Sequence, residues 1–431
     1  MLSISLKPLS SSSFLRPLIP IPIPIPIPIA SILCKSQLHV ERGIEFDVGD
    51  TFFRHESAIG RDLGVLSAAL HKKANGTLRL IDAMCGCGVR SIRYLAEAEV
   101  DFVIANDANQ EYRGLISENL SRVVKGFEEE VKRWEVRHLD ANRLMMECYL
   151  NKDFYDFIDV DSFGSDSMFL RAAIGAVKLG GLLYLTSTDG YTSGGHRPQH
   201  SLAAYGAYIR PMPFCNELGL RMLIGGALRE ASTLGYHVAP LFSYYSYHGP
   251  VFRTLLQVKR GKLPDNRHYS FISYCKQCGS SQAFSWGQLG KIRCPCSENV
   301  GGSCVVSGPL WTGPLHNAPY LRDMQNLASQ WEWISDGVGK DLEKLLEQMV
   351  DESDPKLPPG YFKLDEIASR AKVNSPSLAN IMNILHKKGY AASRSHIESN
   401  AIKTNCTMTE CVSIVRELQQ SLIMQQSRAT L

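Results

Sequence analysis

The first forty residues contain no aspartate or glutamate: Glu41 is the first acid, although Lys7, Arg16 and Lys35 precede it. Helix-forming capacity is missing there too. The apolar run Leu18 to Leu33 approaches the length of a membrane span, but Ile and Pro alternate from Ile19 to Ile29. Alternate prolines lack the N–H that helical hydrogen bonds require, so the run is not a transmembrane helix. A polyproline-like, unfolded leader over residues 1–40 is expected. Its serine run, Ser10 to Ser13, and its lack of acids match an organelle transit peptide. Chloroplast is the expected address, with mitochondrion or nucleus as alternatives and an untargeted disordered tail as the plain reading.

A compact secretory hydrophobic region is also lacking, so the twelve cysteines are not read as a disulfide framework. Nor is there an excess of charge past the leader, where 43 basic residues face 43 acidic ones. Any nucleic-acid binding must therefore use a local basic surface and not a global field. A chain of 431 residues exceeds one ordinary core, and two or three domains are expected. No membrane partner is expected, and the oligomeric state is left open, a monomer being one reading.

Between Leu78 and Lys259 short apolar runs alternate with amphipathic stretches. Strands are expected at Leu78–Ile81, Phe102–Ala105, Glu135–Leu139, Phe154–Val160 and Leu182–Thr186, with a helix from Arg90 to Glu97. This spacing argues for an α/β fold with a parallel, doubly wound sheet. Tyr244–Tyr247 and Val251–Val258, around His248-Gly249-Pro250, read as a closing antiparallel hairpin. A helical stretch from Leu342 to Met349 leads into the acidic, proline-marked Asp351 to Pro355. Two helical patterns follow between Tyr361 and Tyr390, the second starting at Asn374-Ser375-Pro376, and resemble a small winged-helix module. From Lys356 to the end, ten Lys and Arg face five Asp and Glu. The expected division is a leader (1–40), a Rossmann-like domain (41–262), a cysteine-rich segment (263–320), a helical linker (321–355) and a basic C-terminal module (356–431).

Asp82 to Arg90, Asp-Ala-Met-Cys-Gly-Cys-Gly-Val-Arg, follows the first strand directly. Gly86 and Gly88 let the backbone pass close to a ligand, and the following helix start turns amides towards it. Asn106-Asp107-Ala108 follows the second strand, where such units place an acid on ribose hydroxyls. His138-Leu139-Asp140-Ala141 follows the third, where Asp140 can accept from an adenine amine. The full G-x-G-x-x-G pattern is absent, and no second loop suits a pyrophosphate. A nucleoside without phosphates fits better than NAD, and S-adenosyl-L-methionine (SAM) is the expected cofactor.

Asp159-Val160-Asp161-Ser162-Phe163-Gly164 ends the fourth strand. An exocyclic base amine is a poor nucleophile because its lone pair is delocalised into the ring. A carboxylate and a nearby carbonyl that accept its hydrogens localise that pair towards a sulfonium methyl, and an aromatic ring can stack on the extruded base. Asp161 is the expected acceptor and Phe163 the stacking platform; the plain alternative is a helix cap and a core ring. Asp159 reads as a neighbour of the acceptor or a cap. Thr186 to Asp189 ends the fifth strand on the same edge, with Asp189 either lining a base pocket or capping a loop.

Five cysteines fall between Cys275 and Cys304. Cys275-Lys276-Gln277-Cys278 and Cys294-Pro295-Cys296 read as two knuckles around one structural zinc, with Cys304 a possible replacement for Cys294 or Cys296.

With these pieces in place, the chain resembles the tRNA guanosine-26 N2-dimethyltransferases, class I SAM-dependent RNA methyltransferases, as a plant organelle-type member. The resemblance runs from about Glu41 to Cys406. It rests on Phe52-Phe53, Gly60-Arg61-Asp62-Leu63, Asp82–Arg90, Asn106-Asp107-Ala108, Asp159–Gly164, Thr186–Asp189 and Gly308–Leu315. In the tail it rests on Asp365-Glu366-Ile367, Ser375–Leu378 and Gly389–His396. It implies SAM-dependent methylation of the N2 amine of a tRNA guanosine, once or twice, at position 26. It further implies cofactor contacts from Arg61, Arg90, Asp107, Asp140 and Ala141, catalysis by Asp161, and tRNA binding by the C-terminal module. The chain departs from the family at Arg54-His55, at Ser162 where proline is usual, and at Gly60 where asparagine is usual. Its second cysteine pair is also one residue short. The competing expectations are methylation of another RNA base amine, a tRNA-binding protein with a decayed site, and a zinc-dependent nucleic-acid-binding regulator.

Overall fold

The computed structural model describes residues 38–123, 132–261, 267–294, 296, 304–334 and 337–429. Residues 1–37 of the expected leader lie outside these. The fold begins before Glu41, because Leu38–Glu41 pairs antiparallel with Ile44–Asp47. The Arg42-Gly43 turn takes positive φ at both positions, which matches the twist of a two-residue hairpin.

Seven strands form the central sheet: β1 (Arg79–Asp82), β2 (Phe102–Asn106), β3 (Trp134–Arg137), β4 (Tyr155–Asp161), β5 (Val177–Ser187), β6 (Tyr236–Ser246) and β7 (Val251–Arg260). Their order is β3-β2-β1-β4-β5-β7-β6. The first five run parallel, and β7 is antiparallel to both neighbours. Every strand expected from the sequence is present. The first arm of the hairpin is longer than expected and contains Pro240 beside a register shift. A sheet edge tolerates a residue that cannot donate to a ladder, and β6 is that edge. Strand order reverses between β1 and β4, so a crevice opens at their carboxyl ends.

Alternation along the strands feeds two cores. Leu80, Val103 and Ala105 pack with Leu63, Ile92 and Ile116 of α1 (Ala58–Asn75), α2 (Val89–Ala96) and α3 (Arg113–Val123). Ile81 and Ile104 face the other way, towards Leu144, Ile174 and Leu223 of α4 (Ala141–Leu150), α5 (Leu170–Ala176) and α6 (Cys215–Thr233). The segment 321–355 is not a spacer. Its helices, α7 (Ala318–Gln330) and α8 (Gly337–Asp351), bury Leu321, Met324, Leu342 and Leu346 in the α1–α3 core.

The cysteine-rich segment is a three-stranded antiparallel sheet, order β9-β8-β10, made of β8 (Tyr269–Cys275), β9 (Ser281–Phe284) and β10 (Cys304–Trp311). The C-terminal module combines α9 (Leu364–Ala371), α10 (Leu378–Lys387) and α11 (Met408–Ala429) with β11 (Phe362–Lys363), β12 (Ala392–Arg394) and β13 (Ala401–Thr404). Its strands pair in the order β11-β13-β12 and enclose a separate small core around Ile367, Ile381 and Ile414. That is the winged-helix-like α+β arrangement expected.

Buried charge joins this module to the sheet domain. Glu217 of α6 accepts from Lys403 Nζ of β13 at 2.5 Å, Arg221 Nε at 2.8 Å and the Gly360 amide at 2.7 Å. Beside it, Glu352 accepts from His396 Nδ1 at 2.8 Å, with Lys403 Nζ and His316 Nε2 each 3.8 Å away. The acidic stretch read as a linker thus holds a buried anion. The Ser-Arg-Ser-His string ends in the residue that meets it.

Candidate active site

A cleft of about 700 Å³ opens at the carboxyl ends of β1, β2, β4 and β5 and at the start of β7. One wall is the loop between β1 and α2. Gly86 and Gly88 have φ of +56° and +84°, a left-handed backbone that glycine adopts without a Cβ clash. The loop is fixed from beneath: Cys85 N donates to Asn106 O, and the Asn106 side chain donates to Ala83 O and Leu139 O. Asp107 accepts from the Gly86 amide at 3.0 Å and the Asn109 amide at 2.9 Å, and it lines the cleft. A Cβ added at Gly86 would meet no atom within 4 Å, so nothing from the protein fills the space above this turn. Cys85 and Cys87 lie on the same wall, and burial pushes both thiols up.

The end of the neighbouring strand β4 brings Asp161 and Phe163 to the cleft. Arg90 donates to Asp159 at 2.9 Å and to Asp161 at 2.6 Å, and Tyr94 Oη donates to Asp159 at 2.7 Å. Asp159 is therefore a fully buried anchor, while the Asp161 side chain keeps 31% of its surface open. Burial works to raise the Asp161 carboxyl, but the charges of Arg90 and then Arg253 hold it below its ordinary range. Asp161 is thus an ionised acceptor facing the cleft.

Phe163 is not a core ring, since 71% of it is exposed at the cleft mouth. It meets Phe52 edge-on at 4.8 Å, and the Arg54 guanidinium lies 4.9 Å over Phe52. The Phe163 loop is fastened to the end of β5. Ser162 Oγ donates to Thr186 O at 2.9 Å, the Gly164 amide to Thr188 Oγ1 at 2.7 Å, and the Thr188 amide to Gly164 O at 2.8 Å. These bonds hold a loop that carries serine where proline is usual.

The other expected residues divide. Arg61 lines the cleft, but its guanidinium is bound by Glu41 and by Arg54 O. Arg90 also lines it, with its nitrogens given to the two aspartates, so it positions Asp161 more directly than it meets a ligand. Among the described residues, Asp82, Asp140 and Ala141 are not part of the cleft wall. Asp82 is buried beneath the loop, accepts from Ser91 Oγ, and is pushed up by burial and by Asp159. Asp140 caps α4 by accepting from the Arg143 amide. Asp189 likewise caps a short helix through the Thr192 amide.

Among the lining residues, Phe52 was singled out only through the family resemblance, Arg54 as a departure from it, and Arg253 not at all. Phe52 was visible as part of a doubled aromatic. Arg253 had its own signal, a single cation in the otherwise apolar run from Val251 to Leu256.

In the cysteine segment, the sulfurs of Cys275, Cys278, Cys294 and Cys296 all lie within 4.8 Å of one another. Cys278 and Cys294 are 3.2 Å apart and Cys275 and Cys296 3.6 Å, well beyond the roughly 2.05 Å of a disulfide. Such a group of cysteines suits a metal ion. Cys304 stands opposite Cys275 in the β8–β10 pair. Arg370 of α9 donates to Gln277 O at 2.8 Å, which ties this loop to the C-terminal module.

The model of the N2,N2-dimethylguanosine tRNA methyltransferase family matches residues 37–416. The tRNA (guanine(26)-N(2))-dimethyltransferase of Pyrococcus abyssi is 28% identical over 373 residues, which span 84% of this chain and 92% of that protein. Its counterpart in Saccharolobus islandicus is 30% identical over 375 residues, spanning 85% and 91%. The solved complex of Trm1 from Pyrococcus horikoshii with S-adenosyl-L-methionine superposes with a TM-score of 0.73 at 25% identity, covering 88% of this chain and 99% of that one.

Proposed function

The chain belongs to the N2,N2-dimethylguanosine tRNA methyltransferase family, and from that premise we propose that it methylates the exocyclic N2 amine of a tRNA guanosine, with position 26 as the target. The observation that carries this reading is the ionised Asp161 carboxylate at the end of β4, held by Arg90 beside the exposed ring of Phe163. SAM, when bound, would supply an electrophilic methyl group from its sulfonium and would leave as the neutral thioether. The glycine turn, Asp107 and the thiol-lined wall would hold its nucleoside. Asp161 accepts one amine hydrogen, localises the nitrogen lone pair, and takes the surplus proton once the N–C bond has formed. Phe163, with Phe52 at its edge, offers the extruded base a stacking surface. A decayed site is not favoured, because the acceptor, its positioning arginine and an open cleft are all present.

Exposed Lys372, Lys387 and Arg394 on the C-terminal module support a tRNA-binding surface of phosphate contacts. Other cations there are spent on the fold, as Lys403 and Arg370 are. A structural zinc on Cys275, Cys278, Cys294 and Cys296 fits the sulfur geometry. Metal analysis should find one zinc per chain, lost in Cys278→Ser. Import into the chloroplast is supported by the acid-free leader and would be checked by following a tagged full-length chain in plant cells.

The function is tested by incubating the protein with methyl-labelled SAM and unmodified tRNA and identifying the labelled nucleoside. Label in N2-methyl- or N2,N2-dimethylguanosine, absent with Asp161→Ala, is expected. Label in another nucleoside would keep the methyltransferase and overturn the substrate.

A further inference from the structure

One buried cation in the cleft leaves most of its hydrogen-bonding capacity unused. Arg253 is 2% exposed, yet Nε and Nη1 have no hydrogen-bond partner. Among the described residues its one hydrogen bond runs from Nη2 to Ser57 Oγ at 3.5 Å, the limit of such a contact. No carboxylate lies within ion-pair distance of it among those residues, in contrast to Arg61, Arg90 and Arg93. Its charge is balanced only at longer range, by Asp161, and a buried guanidinium with unmade hydrogen bonds is costly to a fold, so its persistence points to a partner outside the fold.

The surroundings are shaped for it. A Cβ at Gly60 would come 2.8 Å from the Arg253 guanidinium carbon, so the bare glycine of α1 leaves room for this side chain. In the sheet, Asp161 pairs with Thr186 and Thr186 pairs with Arg253. The three residues form one row across β4, β5 and β7, with side chains on one face. Two strand spacings, roughly 10 Å, separate the backbones of Asp161 and Arg253. A short acceptor and a long donor thus converge on the same cleft from the two ends of the row, and both line it.

We infer that Arg253 reads the target base, donating to the O6 oxygen of the guanine whose N2 amine faces Asp161; this rests on the function proposed above. Guanine carries its N2 donor and O6 acceptor on one edge, either side of N1. A carboxylate and a guanidinium set opposite that edge complement both groups. Adenine presents an amine at the equivalent of O6, and a guanidinium has no acceptor to offer it. Arg253 is therefore the specificity-determining residue for guanine, and Gly60 makes space for it.

The test compares the full-length wild type with Arg253→Met and Arg253→Lys on two tRNAs. One carries guanosine at the methylated position and the other 6-thioguanosine, which keeps N1, N2 and N7 but replaces O6 by a weak sulfur acceptor. The wild type should prefer guanosine by about 10- to 100-fold in kcat/KM. Arg253→Met should lose that factor on guanosine and methylate both tRNAs alike, while its Kd for SAM, measured by calorimetry, stays within about twofold of wild type. Arg253→Lys should fold and retain part of the preference, which guards against a Met variant that fails to fold. A variant that slows equally on both tRNAs and keeps the full preference would overturn the inference. So would a tenfold loss of SAM affinity with the preference intact, which would make Arg253 a cofactor contact. A wild type that methylates no tRNA guanosine would overturn the function itself, an outcome separate from either of these.

Discussion

Glu217 and Asp161 are both aspartate-or-glutamate anions held by an arginine near the ends of sheet-domain elements, yet they are finished differently. Glu217 is fully buried and takes hydrogen bonds from Lys403, Arg221 and the Gly360 amide. Asp161 takes one from Arg90, leaves part of its side chain open, and faces an arginine with unpartnered nitrogens. The first cluster is closed among protein groups and joins two parts of the chain. The second stays open on one side. Buried ions that complete one another belong to the fold, whereas ions left incomplete at a cleft are set for a ligand.

Breaking the closed cluster should give the largest effect on stability. Glu217→Ala leaves Arg221 and Lys403 buried without their anion and should cost about 3–5 kcal/mol in urea unfolding. Acid should loosen the same region in two stages. Burial pushes His316 down to about 4 from an ordinary 6.5, so between those values the unfolded chain takes up a proton that the fold refuses. Glu217 is raised by burial but brought down to about 2 by Lys403 and Arg221, and Glu352 is held well below its usual range by His396 and its neighbours. Their stabilisation is present above about 4.5 and fades as pH falls towards the folded values. Thermal melts should therefore drop from pH 6.5 downwards and steepen below 4.5, and His316→Gln should flatten the first stage. The smallest effect belongs to the open side: Phe163→Ala removes a stacking surface worth about 1–3 kcal/mol, so kcat/KM for tRNA should fall about 5- to 150-fold with unchanged melting.

The sheet was legible because its strands are short apolar runs separated by turn residues, and the acids after β2 and β4 stand where such sheets bind ligands. Asp107, Asp161 and Phe163, singled out this way, all line the cleft. Helices α1 and α6 were not assigned from the sequence, and glycines inside both weaken their helical pattern. Those glycines serve close packing: a Cβ at Gly219 would meet the Phe252 ring at 2.5 Å, and one at Gly60 would meet Arg253. Asp140 was assigned to a ligand on its place after the third strand and on the family resemblance, and in the structure it caps the start of α4. Arg61 and Arg90 both line the cleft, while their partners Glu41 and Asp159 are distant in sequence, and pairing of that kind leaves no local trace. The same holds for Glu352, whose linker-like neighbourhood hides contacts to His396 and Lys403.

The most direct measurement is single-turnover methyl transfer to unmodified tRNA by Asp161→Asn and Glu217→Gln, each held at a temperature where circular dichroism shows it folded. The account predicts a loss of about 10²- to 10⁴-fold for Asp161→Asn with SAM affinity retained, and a rate within a few-fold of wild type for Glu217→Gln. Equal losses in the two variants, or a full rate in Asp161→Asn, would contradict it.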